Sequence, residues 1–119
     1  MRCIVASVCE RSNIGEYAFN NCTDLTSVTM ADSVYRIDQG AFHHCIDLVS
    51  LKIGKGLKTI PSLAFVNCPR LTSVTIPDSV TFIYTDAFKG CTALKKVTYK
   101  GKTYDYAHID DLYKAANGR

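Results

Sequence analysis

The sequence has no run of apolar residues that approaches the ~20 needed to span a bilayer, so no membrane insertion is predicted. It also lacks a glycine-rich phosphate loop and the H-E-x-x-H and G-x-S-x-G motifs of metalloproteases and serine hydrolases. Positive charge is scarce at first, because residues 1–50 contain three basic residues against six acidic ones. An arginine-rich run and a nucleic-acid-binding motif are both missing. These absences argue against a membrane span, several enzyme classes and a nucleic-acid partner.

The dominant positive feature is a strict period of 23 residues. An Ala-Phe pair, a Cys and a Leu each recur at that spacing. Such self-similarity is typical of a solenoid, in which each unit forms one coil and neighbouring coils bury each other's apolar edge. We predict that two of the columns form structural ladders in the core. Their members are Phe19, Phe42, Phe65 and Phe88, and Cys22, Cys45, Cys68 and Cys91.

The period divides the chain into a repeat region and two ends. Shifting the N-terminal segment by one period places Val5 on Val28, which predicts a degraded first coil. The last unit replaces its later apolar columns with Tyr99, Thr103 and Tyr106, as expected of a coil whose outer side meets water. The predicted divisions are a degenerate N-terminal coil or cap at 1–14, four units at 15–37, 38–60, 61–83 and 84–106, and a C-terminal cap at 107–119.

Each unit contains a strand signal and a turn signal. Residues 71–76 end in alternating apolar and polar residues rich in β-branching, which predicts a short strand. Ala87, Phe88 and Cys91 share one face at helical spacing, so residues 86–91 predict one helical or 3₁₀ turn. At the C-terminus, residues 109–116 predict a short amphipathic helix closed by Asn117 and Gly118.

The repeat resembles a known family. The leucine-rich pattern L-x-x-L-x-L is met by Leu71-x-x-Val74-x-Ile76 and by its equivalents in the other units. The remainder of the unit, with its Ala-Phe pair and Cys, resembles the BspA-like, or Treponema-type, subclass over about residues 14–106. This resemblance implies an α/β repeat solenoid. The expected fold is a short right-handed leucine-rich-repeat stack with parallel strands on its inner face, short helical or 3₁₀ turns and a C-terminal helical cap.

The four periodic cysteines are predicted to be buried free thiols. A disulfide needs a specific torsion, whereas identical stacked side chains point the same way. A metal site needs ligands that converge on one point, but a spacing of 23 residues spreads these thiols along a line, so no metal site is predicted. Cys3 and Cys9 lie outside the repeat, where free thiols are favoured over a surface disulfide.

The histidines do not suggest catalysis. His43 and His44 occupy variable positions and have no matched acid or nucleophile, so we interpret them as surface residues. His108 lies near Asp110 and Asp111. We interpret this trio as a helix start, with Asp110 or its neighbour as the cap, and not as a metal or acid–base site. We therefore predict that the protein is not an enzyme and needs no cofactor.

The second half of the chain is basic. Residues 51–119 contain 11 basic residues against 5 acidic ones, and Lys89, Lys95, Lys96, Lys100 and Lys102 crowd the last unit. We interpret this cluster as a solvated cap that resists end-to-end stacking. The open alternatives are a site for an acidic partner and, with less support, for nucleic acid.

The predicted function is protein binding. Polar side chains alternate with the buried columns of the predicted strands and should form one broad face, the kind of surface on which repeat proteins bind partners. The resemblance implies a protein-protein interaction module of a bacterial cell-surface or adhesion protein, with a protein ligand of unknown identity. The alternative is a structural element that forms a homo-oligomer through an exposed N-terminal edge. The predicted binding residues are Ser27, Thr29, Ser50, Lys52, Ser73, Thr75, Lys96 and Thr98.

The N-terminal segment gives no clear targeting signal. It is too short and too weakly punctuated for a secretory leader, and Val8 before Cys9 fits poorly with a lipoprotein cleavage site. Two expectations stay open: a cytoplasmic protein, or an exported parent whose leader lies outside this chain. The family resemblance favours the second, with a cell-surface or secreted location.

Overall fold

The main sheet is built from one strand of each coil. A computed structural model describes residues 5–8, 12–14 and 25–118, with side chains described from residue 25 to residue 118. The strands are β1 (Val5–Val8), β3 (Ser27–Met30), β5 (Ser50–Lys52), β7 (Ser73–Ile76), β9 (Lys96–Tyr99) and β10 (Lys102–Tyr104). They lie in the order β1-β3-β5-β7-β9-β10, and neighbours are parallel except for β9 and β10. Adjacent parallel strands belong to successive coils, which confirms the predicted solenoid.

The strand register follows the sequence period. Ser27 pairs with Ser50, and Ser50 pairs with Ser73, in steps of one unit. Within each strand the apolar residue between the polar ones, such as Val28 or Val74, is buried. This alternation fixes the register because a slip of one residue would turn the apolar column towards water.

The opposite side of the solenoid contains two smaller parallel sheets. In these, β2 (Ser12–Ile14) pairs with β4 (Val34–Ile37), and β6 (Thr59–Ile60) pairs with β8 (Phe82–Ile83). The backbone N–H of Tyr84 donates to the Ile60 carbonyl at 3.1 Å. One coil earlier the donor position is Pro61, which has no N–H and cannot make the equivalent bond to the Ile37 carbonyl. This proline helps to explain why β4 and β6 belong to separate sheets.

The first coil has a register that the sequence alignment did not predict. β1 pairs Val5 with Ser27, so placing Val5 on Val28 was wrong by one residue. The register then shifts at Ser12, and beyond it Ile14 pairs with Ile37 at the full spacing of 23. The physical reason is that the spacing between the first coil and the next is one residue short at β1. A bulge in β4 then adds one residue and restores the spacing of 23.

Aromatic and thiol columns fill the core. Phe42 and Phe65 stack with ring centroids 5.3 Å apart, and Phe65 and Phe88 stack at 5.4 Å. Cys45, Cys68 and Cys91 are buried and form no disulfide. The neighbouring Cys91 thiol and burial together raise the pKa of the Cys68 thiol far above its ordinary value. The predicted ladder members Phe19 and Cys22 lie outside the described residues, as do Cys3 and Cys9.

The predicted helical turn of each unit is a series of hydrogen-bonded turns. Lys89 N–H donates to the Asp86 carbonyl at 3.3 Å, and Cys91 N–H donates to the Phe88 carbonyl at 3.1 Å. These bonds span three residues, as in a 3₁₀ helix, but residues 85–90 form turns and not a continuous helix.

One column of the turn adopts left-handed backbone geometry in three successive coils. His44, Asn67 and Gly90 have φ values of 59°, 57° and 84°. Glycine adopts this conformation without strain, and asparagine and histidine are among the residues that tolerate it best. The chain therefore changes direction at the same point of each of these coils.

The C-terminal end departs from the repeat. The chain reverses at Lys100 and Gly101, both with positive φ, and β10 returns antiparallel beside β9. Tyr99 was expected to meet water, but it is only 1% exposed and its hydroxyl donates to the Val80 carbonyl at 2.6 Å. That interpretation of Tyr99 was wrong because β10 continues the sheet beyond the last parallel strand and pairs Lys102 with Tyr99.

A helical cap follows, as predicted. It consists of a 3₁₀ helix (Tyr106–His108) and α1 (Ile109–Asn117), whose Leu112, Tyr113 and Ala116 are buried in the common core. Burial also raises the pKa of the Tyr113 phenol. Gly118 ends α1 in the left-handed conformation, and its N–H donates to the Lys114 carbonyl.

Candidate protein-binding face

The structure brings the eight predicted binding residues together on one face of the main sheet. Side chains that alternate with the buried residues of β3, β5, β7 and β9 all point to the same side. At ~4.8 Å between strands, four strands span about 15 Å. We call this surface the inner strand face. Its two columns are Ser27, Ser50, Ser73 and Lys96, and Thr29, Lys52, Thr75 and Thr98.

The two columns of the inner strand face differ in exposure. On β3, β5 and β7 the column of Thr29 is exposed and the column of Ser27 is half-buried, whereas on β9 Lys96 is exposed and Thr98 is half-buried. Most of these side chains are short and bear a hydroxyl group, which both donates and accepts hydrogen bonds. The result is a flat, polar surface on a backbone that is held by ladder hydrogen bonds, and a protein partner can approach it closely.

The inner strand face extends one strand further than the sequence predicted. β10 pairs Thr103 directly with Thr98, and residues directly opposite each other in an antiparallel pair share a face. Thr103 is exposed and therefore joins the surface. The sequence analysis placed Thr103 in one of the later apolar columns of the fourth unit, at 84–106. The signal that it missed was Lys100-Gly101 between two short alternating segments, a pattern typical of a two-residue hairpin.

The charge of the inner strand face has one sign. Lys52 and Lys96 are its charged residues, and neither column contains an acidic residue. The two lysines lie two strands apart, about 10 Å across the sheet. Such a surface attracts partners that carry carboxylates at a similar separation.

Three other lysines of the last unit, Lys89, Lys100 and Lys102, lie outside the inner strand face. Lys89 lies in a coil turn and Lys100 lies in the hairpin, where its Nζ is 5.3 Å from the centroid of the Tyr99 ring. Lys102 pairs with Tyr99, one position away from the Thr98–Thr103 pair that faces outward.

The histidine pair lies in a turn, away from the inner strand face. The His43 and His44 rings contact edge to face with centroids 4.0 Å apart, and His44 Nε2 is 3.5 Å from Asn67 Nδ2. Burial, and then the neighbouring His44, lower the pKa of His43. Within the described part of the chain, no group of three or more metal-ligating side chains is close enough to hold an ion.

His108 pairs with an aspartate other than those indicated by the sequence. Its Nδ1 lies 2.7 Å from Asp105 Oδ1, and the same carboxylate accepts from the His108 N–H at 3.0 Å. The hydrogen bond with Asp105 raises the pKa of His108, and that with His108 lowers the pKa of Asp105. The predicted helix start is confirmed, since α1 begins at Ile109. The prediction of a cap at Asp110 or its neighbour was wrong because a 3₁₀ helix precedes α1, and Asp105 caps that helix. Asp110 lies in the first turn of α1.

Among the residues that the structure describes, no helix is long and apolar enough to cross a bilayer.

Similarity to known proteins agrees with the repeat and the fold. A family model described as the BspA type leucine rich repeat region matches residues 12–108 in six copies. No curated protein matches the sequence. The fold is similar to that of a leucine rich cell surface protein from Faecalibacterium prausnitzii, with a TM-score of 0.62 and 30% identity over 92% of this chain and 34% of that one.

Two further solved structures are similar. A leucine-rich repeat protein from Bacteroides ovatus gives a TM-score of 0.68 and 36% identity over 71% of this chain and 22% of that one. A leucine rich repeat protein from Treponema pallidum shares the fold, with a TM-score of 0.59 at 24% identity over 80% of this chain and 58% of that one. The chain thus spans about a third of the F. prausnitzii protein and less of the B. ovatus protein. With its 23-residue coils and the family match over most of its length, the chain belongs to the BspA-type leucine-rich repeat family.

Proposed function

We propose that this chain is a non-enzymatic protein-protein interaction module that binds its partner through the inner strand face. The observation that carries the proposal is the alignment of eight polar side chains, with Thr103 beside them, on one open sheet. Nucleic acid and a membrane interior are not among the proposed partners. A bacterial cell-surface location and a role in adhesion are part of the proposal, and the cell surface protein of F. prausnitzii supports them by its likeness.

The size of the inner strand face bears on the strength of binding. Five strands at ~4.8 Å and three residues along each give a patch of only a few hundred Å². A standard protein interface buries about 800 Å² on each partner. We therefore expect the isolated chain to bind weakly, and to bind more strongly when several copies are displayed together.

Site-specific photocrosslinking tests this proposal. A photoreactive residue replaces Thr75 on the inner strand face or, as the matched control, Thr92, which is an exposed threonine in a coil turn. The probe surface is a panel of immobilised extracellular-matrix glycoproteins. We expect crosslinks from position 75 and few from position 92. Equal crosslinking from both positions, or none from position 75, would contradict the proposal.

The asymmetry of the two ends supports a second candidate, self-association through the N-terminal edge. At the C-terminal end, β10 and α1 cover the last coil, whereas β1 is the last strand of the sheet at the other end of the described chain. A terminal strand of this kind can pair with another chain. Light scattering with dilution should then find a concentration-dependent dimer that Val5→Lys dissociates. A monomer at all concentrations would exclude this candidate.

A further inference from the structure

A concave surface lies on the side of the solenoid formed by β4 and β6, away from the inner strand face. It is a cleft of about 590 Å³, within the size range of small-molecule sites. Thr59, Pro61 and Ser62 line its middle, Tyr35 lies about one period earlier in the chain, and Tyr84 follows Pro61 by one full period of 23 residues. Small residues between larger ones on both sides produce the depression, which we call the corner cleft.

Two departures from the regular repeat shape the corner cleft. Val34 pairs with Ser12 and Arg36 with Asn13, so Tyr35 is the extra residue of the bulge in β4. A bulge redirects the side chain that it carries. On the other side of the cleft, Pro61 removes the backbone donor that would otherwise reach the Ile37 carbonyl. Ile37 lines the cleft beside this missing donor.

The aromatic residues of the corner cleft are unusually exposed. Tyr35 is 55% exposed and Tyr84 is 46% exposed. Phe82 packs edge to face on Tyr84 with ring centroids 5.1 Å apart, which restricts the orientation of the Tyr84 ring. Exposed aromatic side chains that cluster around a depression are characteristic of binding surfaces.

The polar groups of the corner cleft offer both donors and acceptors. Arg36 Nε donates to Asp38 Oδ1 at 2.7 Å, and the Arg36 Nη groups donate to none of the other described residues. Ser62 Oγ donates to Asp86 Oδ2 at 2.8 Å and keeps its capacity to accept. Asp38 offsets the charge of Arg36, and the ammonium group of Lys58, which also lines the cleft, supplies further hydrogen-bond donors.

From these features we propose that the corner cleft binds a saccharide. A sugar ring has an apolar C–H face that stacks on an aromatic ring, and its hydroxyl groups both donate and accept hydrogen bonds. The two tyrosine rings and the mixed polar lining provide both kinds of contact. An extended peptide fits less well, because β4 and β6 are adjacent coils and leave no slot for a strand between them. The site is distinct from the inner strand face and does not depend on the proposed function.

Saturation-transfer and chemical-shift NMR on the whole chain test this proposal. The probes are methyl glycosides of glucose, galactose and N-acetylglucosamine, together with dextran and mucin. Binding should shift the amide signals of Thr59 and Ser62. Tyr84→Ala should weaken binding about tenfold, whereas Tyr84→Phe, which retains the ring, should stay within about threefold. Ile46→Ala is the control at matched exposure, and it should have no effect.

The outcomes distinguish a polysaccharide from a glycoprotein glycan as the source of the saccharide, and the corner cleft from the inner strand face as its site. A response to dextran would indicate a polysaccharide ligand, and a response to mucin alone would indicate a glycoprotein glycan. Replacing Lys52 and Thr75 on the inner strand face should leave saccharide binding intact. Failure of all five probes to bind, binding that Tyr84→Ala leaves unchanged, or binding that shifts only inner-strand-face signals would overturn the proposal.

Discussion

The thiol of Cys91 donates a hydrogen bond to the backbone carbonyl of Phe65, one coil back, at 2.9 Å. Cys68 makes the same bond to the Phe42 carbonyl at 3.3 Å. In both cases donor and acceptor are 26 residues apart, which is one period of 23 plus the three positions that separate the Phe from the Cys of a unit. The thiols of the Cys column therefore donate to backbone carbonyls of the Phe column one coil earlier, so these carbonyls have a hydrogen-bond partner.

Replacing Cys91 should show how much this bond contributes. Cys91→Ala leaves the Phe65 carbonyl without the thiol donor and creates a small cavity, so we expect a loss of about 1–3 kcal/mol in the free energy of unfolding. Cys91→Ser retains a donor and should lose less. Urea unfolding followed by circular dichroism measures both variants. A serine variant no more stable than the alanine variant would show that the thiol acts only by filling space.

Asn117 completes the edge of a sheet with its side chain. Its Oδ1 accepts from the Ile83 N–H at 2.8 Å, and its Nδ2 donates to the Ile83 carbonyl at 2.9 Å. We expect Asn117→Ala to cost about 1–3 kcal/mol, since two hydrogen bonds are lost. Hydrogen exchange of the Ile83 amide should accelerate. Lys114→Ala, an exposed change on the same helix, is the control and should alter stability by less than about 0.5 kcal/mol. Unchanged exchange at Ile83 would contradict this assignment.

Gly90 is constrained by its backbone and by its neighbour. Its φ is +84°, and a Cβ at this position would collide with the Asn67 side chain. Gly101 has a similar φ of +78° but open space around it. Gly101→Ala should therefore cost about 1 kcal/mol from the left-handed backbone alone, and Gly90→Ala should cost more. Adding Asn67→Gly to Gly90→Ala should recover the excess. Thermal unfolding of the unsubstituted chain and these three variants measures the losses of stability. Equal losses for Gly90→Ala and Gly101→Ala would refute the steric account.

The ion pair of His108 and Asp105 predicts a pH dependence. The pKa of His108 is raised above 6.5, so its contribution to stability is complete below 6.5 and is lost as the pH rises through the folded-state value. The pKa of Asp105 is lowered below 3.8, so its contribution is complete above 3.8 and is lost as the pH falls. The pair thus stabilises most between these pH values, by a modest amount because both groups are exposed.

NMR titration of the histidine rings checks this prediction. The midpoint of His108 should lie above 6.5, and Asp105→Asn, which keeps the helix cap, should move it back towards 6.5. His43 is the internal control, with a midpoint below 6.5 that Asp105→Asn leaves unchanged. If the titration midpoint of His108 is the same in the Asp105→Asn variant, the ion pair does not form in solution.

Much of the fold was predictable because each contact of the stack recurs in the sequence. The Phe42, Phe65 and Phe88 column predicted neighbouring coils, and the rings stack in that order. The residues of the inner strand face follow from the same logic, since polar positions alternate with buried ones and one register fixes them all.

The features that the sequence did not predict are those without a period. Asn117 contacts Ile83, which lies 34 residues earlier in the chain, and no local sequence pattern predicts that contact. The bulge at Tyr35 compensates for the spacing of 22 residues between Val5 and its partner Ser27. Aligning Val5 with Val28 assumed a spacing of 23 and so gave no sign of a bulge. The burial of Tyr99 depends on a hairpin that replaces the end of the fourth coil. Single contacts and ends are decided by packing in space and not by the repeat.

The central claim, that the inner strand face binds the partner, is tested most directly by a matched pair of charge reversals. One variant combines Lys52→Glu with Thr75→Glu on this face, and the other combines Lys89→Glu with Thr92→Glu on coil turns, so both change the net charge equally. Biolayer interferometry measures the binding of each to the immobilised matrix glycoproteins, and thermal unfolding checks that both remain folded. We predict that the first variant loses binding at an unchanged melting temperature while the second retains it. Retained binding by the first variant, or an equal loss in both, would contradict the account.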